Sequence, residues 1–204
     1  MNASDVADRY DRNAFADTLV AAHGGTWPDM EGLIRDIYVA RVDRGRCMLD
    51  VGVNHGGHLV QMARTVGPTG RVIGFEAVPE LARRTLESIE AHHRDVSYHV
   101  TLHQVAVSDK PGRATFYFST ANDYGLSGLA NRDELARHGG VEEISVPVRV
   151  IDDYVDDDFI ARLDFAKFDI EGAEYHAFKG ATKVLARQPL LTFEWDRSAP
   201  THFD

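Results

Sequence analysis

Short apolar runs alternate with hydrophobic residues at helical spacing along residues 45 to 108. The runs at 47–52 and 71–77 predict two strands. Hydrophobic residues recur every three or four positions between them and again after Pro79, which suits a first helical turn, so a helix follows each strand. A third strand is predicted over 102–108. This order predicts β-α-β units and a mostly parallel sheet with helices on both faces.

The alternation of strands and helices is interrupted in the second half of the chain and then resumes. The β-rich segments 114–118 and 145–150 predict an inserted pair of strands at one edge of the sheet. A stretch rich in Gly and Asn and a short helix near residues 131–138 separate the two segments. The last elements are a strand, a helix and a strand, over residues 165–170, 175–187 and 189–195. The predicted fold class is therefore α/β, a doubly wound, Rossmann-like sheet with an inserted β pair.

Two helices are predicted in the first forty residues. Ser4 or Asp5 is suited to cap the first, which ends at Gly24, and Pro28 is suited to the first turn of the second. These helices precede all the segments that carry candidate chemistry. We therefore predict a helical extension over 1–44 that packs on a domain over 45–204.

Composition and charge narrow the class of protein. The 204 residues include 22 Lys and Arg against 32 Asp and Glu, a net charge of −10, and no basic cluster, which disfavours nucleic acid as a partner. No apolar run approaches the roughly 18 residues of a membrane helix, and the first eight residues are acidic, unlike a secretory signal. The single cysteine, Cys47, lies in an apolar run. A cytoplasmic protein with no membrane partner and no disulfides is expected.

A glycine-rich turn follows the first predicted strand, in the segment Asp-Val-Gly-Val-Asn-His-Gly-Gly. Gly52 and Gly56 let the backbone turn tightly and approach a ligand, and the following helix offers unpaired N–H groups. Glu76 ends the second strand, 24 positions after Gly52, where doubly wound folds place an acid that binds ribose hydroxyls. With Asp50 it forms an acidic wall, which suits a ligand that carries a ribose and a cationic centre.

Three further carboxylates, Asp169, Glu171 and Glu174, lie within six positions just past a predicted buried strand. Such a group is costly unless a cation, a donor or solvent compensates it, although acids near a helix start also stabilise the helix. In an open α/β sheet the first strand and this strand are neighbours at the topological switch point. The loops at 50–57 and 169–174 are therefore expected to face one crevice.

Five segments, in this order, resemble the FkbM-type family of S-adenosylmethionine-dependent methyltransferases. They are Asp-Val-Gly-x-Asn-x-Gly at 50–56, Phe-Glu at 75–76, Ala-Val-Ser-Asp at 106–109 with Gly112, Ile-Asp-Asp-Tyr at 151–154, and Lys-Phe-Asp-Ile-Glu-Gly-Ala-Glu at 167–174. The resemblance implies a class I methyltransferase fold, S-adenosylmethionine as cofactor, and methylation of a hydroxyl on a sugar, glycolipid or natural product. It also implies a small-molecule acceptor.

The resemblance assigns roles to residues of this chain. Those implied to bind the methionine and ribose end of the cofactor are Asp50, Gly52, Asn54 and Gly56, with Glu76 on the ribose hydroxyls. Those implied to flank the adenine are Gln104, Val105 and Ala106. Asp169 is implied to contact both cofactor and acceptor, with Glu171 and Glu174 on the acceptor side. Apart from the resemblance, Trp195 is a candidate to stack on a sugar ring of the acceptor, with ordinary packing as the alternative.

An acceptor hydroxyl must lose its proton during methyl transfer, and several groups are candidates for the base. Asp169 is the first candidate, alone or paired with Glu171. His55 and His58 are the others, because an imidazole exchanges protons near neutral pH. A metal-assisted alternative would place Mg²⁺ on oxygen ligands after two neighbouring strands. Those ligands would be Asp169 with Glu194 or Asp196.

Two other classes of function remain open. A non-catalytic S-adenosylmethionine-binding module would keep the cofactor pocket without methyl transfer. An NAD-dependent oxidoreductase would share the fold and the ribose acid, but the glycine spacing differs from Gly-x-Gly-x-x-Gly and no Tyr-x-x-x-Lys pair is evident.

Leu59 and Ala77 depart mildly from the family pattern. Only eight residues follow Asp196, fewer than two further strands require, so an open sheet edge and a homo-oligomer are expected.

Overall fold

The computed structural model describes residues 20–22, 24–119, 127–128 and 141–194. The chain divides into two compact units, residues 1–37 and 38–204. Helix α1 (Met30–Arg41) runs across this boundary and corresponds to the second helix expected from the sequence. The first expected helix lies outside the described residues. The division of the chain at residue 44 therefore remains a prediction.

A five-stranded parallel sheet forms the centre of the second unit. Its strands are β1 (Cys47–Val51), β2 (Arg71–Phe75), β3 (Val100–His103), β8 (Leu163–Phe168) and β9 (Leu190–Phe193). Their order is β3-β2-β1-β8-β9, and every neighbouring pair is parallel. All five residues of β1 are buried, as expected for a strand covered on both faces. The predicted α/β fold with a mostly parallel sheet is confirmed, and its switch point lies between β1 and β8.

Helices α2 (Gly57–Val66) and α3 (Pro79–His92) follow the first two strands, as predicted. Pro79 stands in the first turn of α3, where its missing N–H costs no hydrogen bond. The apolar face of α2 is fully buried at Leu59, Met62 and Val66, and the glycine after it has a positive φ of 67°. Each of these two β-α units therefore brings the end of a strand and the start of a helix to the same edge of the sheet.

The helix expected over 175–187 is interrupted. It consists of α5 (Glu174–Lys179) and α6 (Thr182–Ala186), and α4 (Asp157–Arg162) precedes β8. A Cβ at Gly180, between α5 and α6, would lie 2.1 Å from the carbonyl oxygen of Ser108. The chain therefore breaks the helix where it passes close to the backbone of another segment, a contact that helical periodicity does not reveal.

The inserted strands form a second sheet, of four strands. They are β4 (Ala106–Val107), β5 (Gly112–Ser119), β6 (Ser127–Gly128) and β7 (Val141–Arg149), in the order β4-β7-β5-β6. The antiparallel pairing of β5 with β7 supports the predicted strand pair, but these strands do not extend an edge of the main sheet. The expected strand at 102–108 is divided between the two sheets. The helix expected near 131–138 lies outside the described residues.

The core of the second unit fills the space between the main sheet and its helices. Leu49, Val51, Phe75 and Phe168 are essentially inaccessible to solvent and belong to one apolar cluster. At the other end of the described sheet, β9 is an edge strand on which Leu190 and Phe193 are exposed. Within the described segments we find no helix with the length and apolarity needed to span a bilayer.

Candidate active site

The loop after β1 turns sharply through three residues with positive φ. Gly52, Asn54 and Gly56 have φ angles of 87°, 51° and 80°. The N–H groups of Gly52 and Val53 both donate to the carbonyl oxygen of Phe75, at 3.0 and 3.1 Å. The β1 loop is therefore anchored to the end of β2. Asp50, two residues before the turn, is completely buried.

The β1 loop directly contacts the segment after β8. A Cβ at Gly52 would lie 1.8 Å from the carbonyl oxygen of Asp169, so only glycine permits this approach. The N–H of Asp169 also donates to the carbonyl oxygen of Val51, at 2.9 Å. The structure thus brings the two loops together at the switch point of the sheet.

Glu76 links the end of β2 to the β1 loop. Its carboxylate is buried, and one oxygen accepts a hydrogen bond from the N–H of Asn54 and the other from the N–H of Val78, both at 2.8 Å. Burial raises the pKa of the Glu76 carboxyl, although the two donated N–H groups act in the opposite direction. Each oxygen keeps a second lone pair. The carboxylate therefore holds the loop and still has acceptor capacity for the hydroxyls of a ligand.

The arrangement fits a nucleoside that carries hydrogen-bond donors. The side-chain oxygen of Asn54 is buried and accepts no hydrogen bond from any residue that the structure describes. A buried acceptor of this kind is satisfied when a ligand donates to it. S-adenosylmethionine has suitable donors in its ammonium group and ribose hydroxyls. Asn54 in the β1 loop and Glu76 after β2 thus offer acceptor atoms that could hold such a ligand.

Carboxylates converge at the ends of β8 and β9. Asp169, Glu171 and Glu194 each place one oxygen atom within 4.8 Å of the others. Partial burial and the charges of Glu171 and Asp169 raise the pKa of Glu194 to about 7. These side chains therefore share one electrostatic environment, in which the Glu194 carboxyl carries a proton more readily than an isolated glutamate.

Glu174 lies beside this group but points back into its own loop. Its side chain is buried, and one oxygen accepts a hydrogen bond from the N–H of Ile170, at 2.9 Å. Burial raises the pKa of its carboxyl. The contact closes the turn between β8 and α5, in which Glu171 and Gly172 both have positive φ. The described contact of Glu174 is thus with the loop, and its role toward the acceptor remains a prediction.

The other residues singled out from the sequence lie around these two loops or beyond the described chain. His55 is exposed in the β1 loop, while His58 makes a 3.2 Å hydrogen bond with the hydroxyl of Tyr38. Gln104 and Val105 occupy the link between β3 and β4, where Gln104 is exposed, and Ala106 begins β4. Trp195 and Asp196 lie outside the described residues.

Lys167 is a site residue to which sequence reasoning assigned no role. It is 4% exposed, in the buried strand β8, and its ammonium nitrogen donates to a carboxylate oxygen of Asp169 at 2.9 Å. A charged side chain is rarely this buried unless a partner compensates it. A lysine between Ala166 and Phe168 in a strand expected to be buried was the signal available from the sequence.

A metal ion would find suitable donor atoms at the same edge of the sheet. Mg²⁺ prefers carboxylate oxygens, and the oxygens of Asp169, Glu171 and Glu194 are close enough together to share an ion. Glu171 and Glu194 are exposed, however, and acidic groups of this kind are common on protein surfaces without a metal. Asp169 also already contacts the ammonium group of Lys167. The cluster alone therefore does not establish a metal centre.

We expect the Glu194 carboxyl to contribute less to the stability of the fold as the pH rises from about 4.5 to about 7, and solvent screening keeps this contribution small. The folded chain holds the pKa of Glu194 at about 7, above the ordinary 4.5, so folding favours the protonated form. That contribution is fully present below the unfolded pKa and disappears as the pH rises through the folded one. Between about pH 5 and about pH 8, the Tm of the wild type should fall about 1 to 2 °C more than that of Glu194→Gln. Equal decreases would contradict the assignment.

The chain is similar to known methyltransferases. The family model described as the methyltransferase FkbM domain matches residues 50–204. A protein-L-isoaspartate O-methyltransferase of Ignicoccus hospitalis is 42% identical over 55 residues, 27% of this chain and 26% of the relative. That of Methanothrix thermoacetophila is 40% identical over 84 residues, 39% of this chain and 38% of the relative. The matches thus span well under half of either relative.

Among solved structures, a protein of Clostridium thermocellum described as an rRNA methylase has a TM-score of 0.48 and 16% identity, over 82% of this chain and 66% of that chain.

Proposed function

The chain belongs to the methyltransferase FkbM domain family, and on that premise we propose that it transfers the methyl group of S-adenosylmethionine to a hydroxyl of a small molecule. The observation that carries the proposal is the contact between the β1 loop and the segment after β8. It brings Gly52 against the backbone of Asp169, with Glu76 hydrogen-bonded to the same loop through the N–H of Asn54. A cofactor loop and a cluster of carboxylates thereby occupy one edge of the sheet.

In this proposal the residues at the ends of β1 and β2 hold the cofactor. Glu76 accepts hydrogen bonds from the ribose hydroxyls, and the side-chain oxygen of Asn54 accepts one from the ligand. Gly52 and Gly56 give the loop the positive φ angles that its path requires. Gln104, Val105 and Ala106, which follow β3, flank the adenine. The methyl group is already activated in the bound sulfonium.

The carboxylates after β8 are assigned to the acceptor side. Asp169 takes the proton of the acceptor hydroxyl, because the ammonium group of Lys167 holds its carboxylate in place. Glu171, exposed in the same turn, contacts the acceptor and contributes to its binding. Fixing the acceptor close to the methyl carbon is worth about 7 to 11 kcal/mol of the barrier, more than a base contributes. The chain's main task is thus alignment.

A labelled-methyl screen tests the proposed reaction. The wild-type chain is incubated with S-adenosylmethionine that carries a labelled methyl group and with a panel of hydroxylated sugars, glycolipids and aromatic or polyketide alcohols. We expect label in at least one hydroxyl acceptor. Binding of the cofactor with no transfer to any acceptor would instead identify a non-catalytic binding module.

The same assay decides whether Mg²⁺ takes part. Metal assistance requires an ion on oxygens of the Asp169 and Glu194 carboxylates, and a chelator in excess would then abolish transfer. We expect turnover to be unchanged by the chelator, because a carboxylate base needs no ion.

A further inference from the structure

Lys167 occupies an unusual position for a charged side chain. It lies inside β8, between two neighbouring strands, and its side chain is only 5% exposed, against 34% for that of its partner Asp169. The hydrogen bond between them, at 2.9 Å, joins a residue of the strand to one that follows it. The positive charge is therefore inside the sheet, while the carboxylate that it contacts reaches the edge where the two loops meet.

The register of the sheet adds a second carboxylate to this lysine. Asp50 on β1 is the direct partner of Lys167 on β8, and Thr192 on β9 is its partner on the other side. Partnered residues of neighbouring strands project from the same face of a sheet. Asp50 is completely buried, and Lys167 is the cation in the row of partnered residues formed by Gly74, Asp50, Lys167 and Thr192. One lysine is thus the register partner of a buried aspartate of β1 and contacts the aspartate that follows its own strand.

Charge explains why this row needs a lysine. A buried carboxylate such as that of Asp50 is costly to ionise unless a cation compensates it, and removing the lysine would leave this charge uncompensated. Asp50 and Asp169 with Lys167 carry a net charge of −1 when all three are ionised. Without the lysine, Asp50 and Asp169 alone would carry −2, on either side of the contact between the β1 loop and the segment after β8.

We propose that Lys167 is a positioning residue of the methyl-transfer site, which neutralises the charge below the cofactor loop and fixes the Asp169 carboxylate where the two loops meet. The inference rests on the proposed function for its meaning in catalysis. It assigns one lysine to both halves of the site, the cofactor loop through Asp50 and the acceptor side through Asp169. Lys167 acts through these carboxylates and needs no contact with the ligand.

A charge-restoring pair of substitutions tests this role. Positions 50, 167 and 169 together carry −2 in Lys167→Met and zero in Asp169→Asn. In the double variant they carry −1, as in the wild type. We expect each single variant to bind S-adenosylhomocysteine roughly tenfold or more weakly by calorimetry. The double variant should bind S-adenosylhomocysteine at least as tightly as whichever single variant binds it less tightly. Its Tm should exceed that of Lys167→Met.

A purely steric role for the lysine side chain predicts the opposite result. Asp169→Asn would then bring no recovery, the two losses of affinity would multiply, and the Tm of the double variant would not exceed that of Lys167→Met. Either observation would overturn the proposal. Lys179→Met is the matched control, because Lys179 pairs with Asp109 at 3.2 Å but its side chain is 47% exposed. It should bind the ligand like the wild type.

The two readouts separate this inference from the proposed function. If the wild type binds no S-adenosyl compound, the proposed function fails, and the order of the Tm values still decides the role of Lys167. If the wild type binds the ligand and the double variant shows no recovery, the proposed function stands and the inference about Lys167 fails. Where Lys167→Met does not fold alone, recovery of folding in the double variant supports the proposal and its absence overturns it.

Discussion

Replacing Gly52 by alanine is expected to destabilise the fold by about 3 kcal/mol or more and to abolish cofactor binding. The new Cβ would lie 1.8 Å from the carbonyl oxygen of Asp169, which belongs to the backbone and has no other rotamer to adopt. The positive φ of 87° adds strain for any residue with a side chain. The β1 loop and the segment after β8 must therefore separate. Denaturant unfolding and calorimetry with S-adenosylhomocysteine measure the two effects.

A second glycine provides the control for this substitution. A Cβ at Gly112, where β5 begins, would meet nothing within 4 Å, and Gly112 is not among the glycines with positive φ. Gly112→Ala should therefore change the free energy of unfolding by less than about 1 kcal/mol and leave ligand affinity unchanged. If Gly52→Ala behaves like Gly112→Ala in both measurements, the described contact between Gly52 and the carbonyl oxygen of Asp169 is contradicted.

Asp169→Asn is expected to reduce methyl transfer by about 10²- to 10⁴-fold, the usual contribution of a positioned base. The amide keeps the size of the carboxylate but cannot accept the proton. The backbone contacts of residue 169 with Gly52 and Val51 do not involve the side chain, so the loops stay together. The rate is measured in single turnover with an acceptor identified by the labelled-methyl screen, which separates the chemical step from cofactor affinity.

Two other variants make this prediction specific. Glu171→Gln changes an exposed carboxylate of the same cluster and should lower the rate by less than about tenfold. His55→Gln removes the exposed imidazole of the β1 loop and should lower the rate even less. A large loss in His55→Gln, together with a nearly normal rate in Asp169→Asn, would transfer the role of base to the histidine.

The main sheet could be predicted because its determinants are local. The apolar runs of β1, β2 and β8 end at a glycine or an acid and are followed by helical spacing, which defines β-α units, and parallel connectivity then makes β1 and β8 neighbours. The meeting of Gly52 with Asp169 follows from that topology. How closely Gly52 approaches the Asp169 carbonyl oxygen does not follow from the topology, because that distance depends on the twist and register of the two strands.

Features that depend on contacts distant in sequence were not predictable. The break between α5 and α6 arises where Gly180 passes the carbonyl of Ser108, and the division of the expected third strand arises because β4 pairs with β7. The position of Lys167 beside Asp50 requires the register of β1 and β8. The sequence shows the lysine, but only the register shows which buried aspartate it neighbours.

Calorimetry with S-adenosylhomocysteine and with NADH tests the central claim most directly, since both ligands contain an adenosine and a doubly wound sheet could bind either. The edge of the sheet where Gly52, Glu76 and Asp169 meet is expected to bind S-adenosylhomocysteine saturably, one molecule per chain, and not to bind NADH. Binding of NADH, or no heat with S-adenosylhomocysteine, would contradict the account.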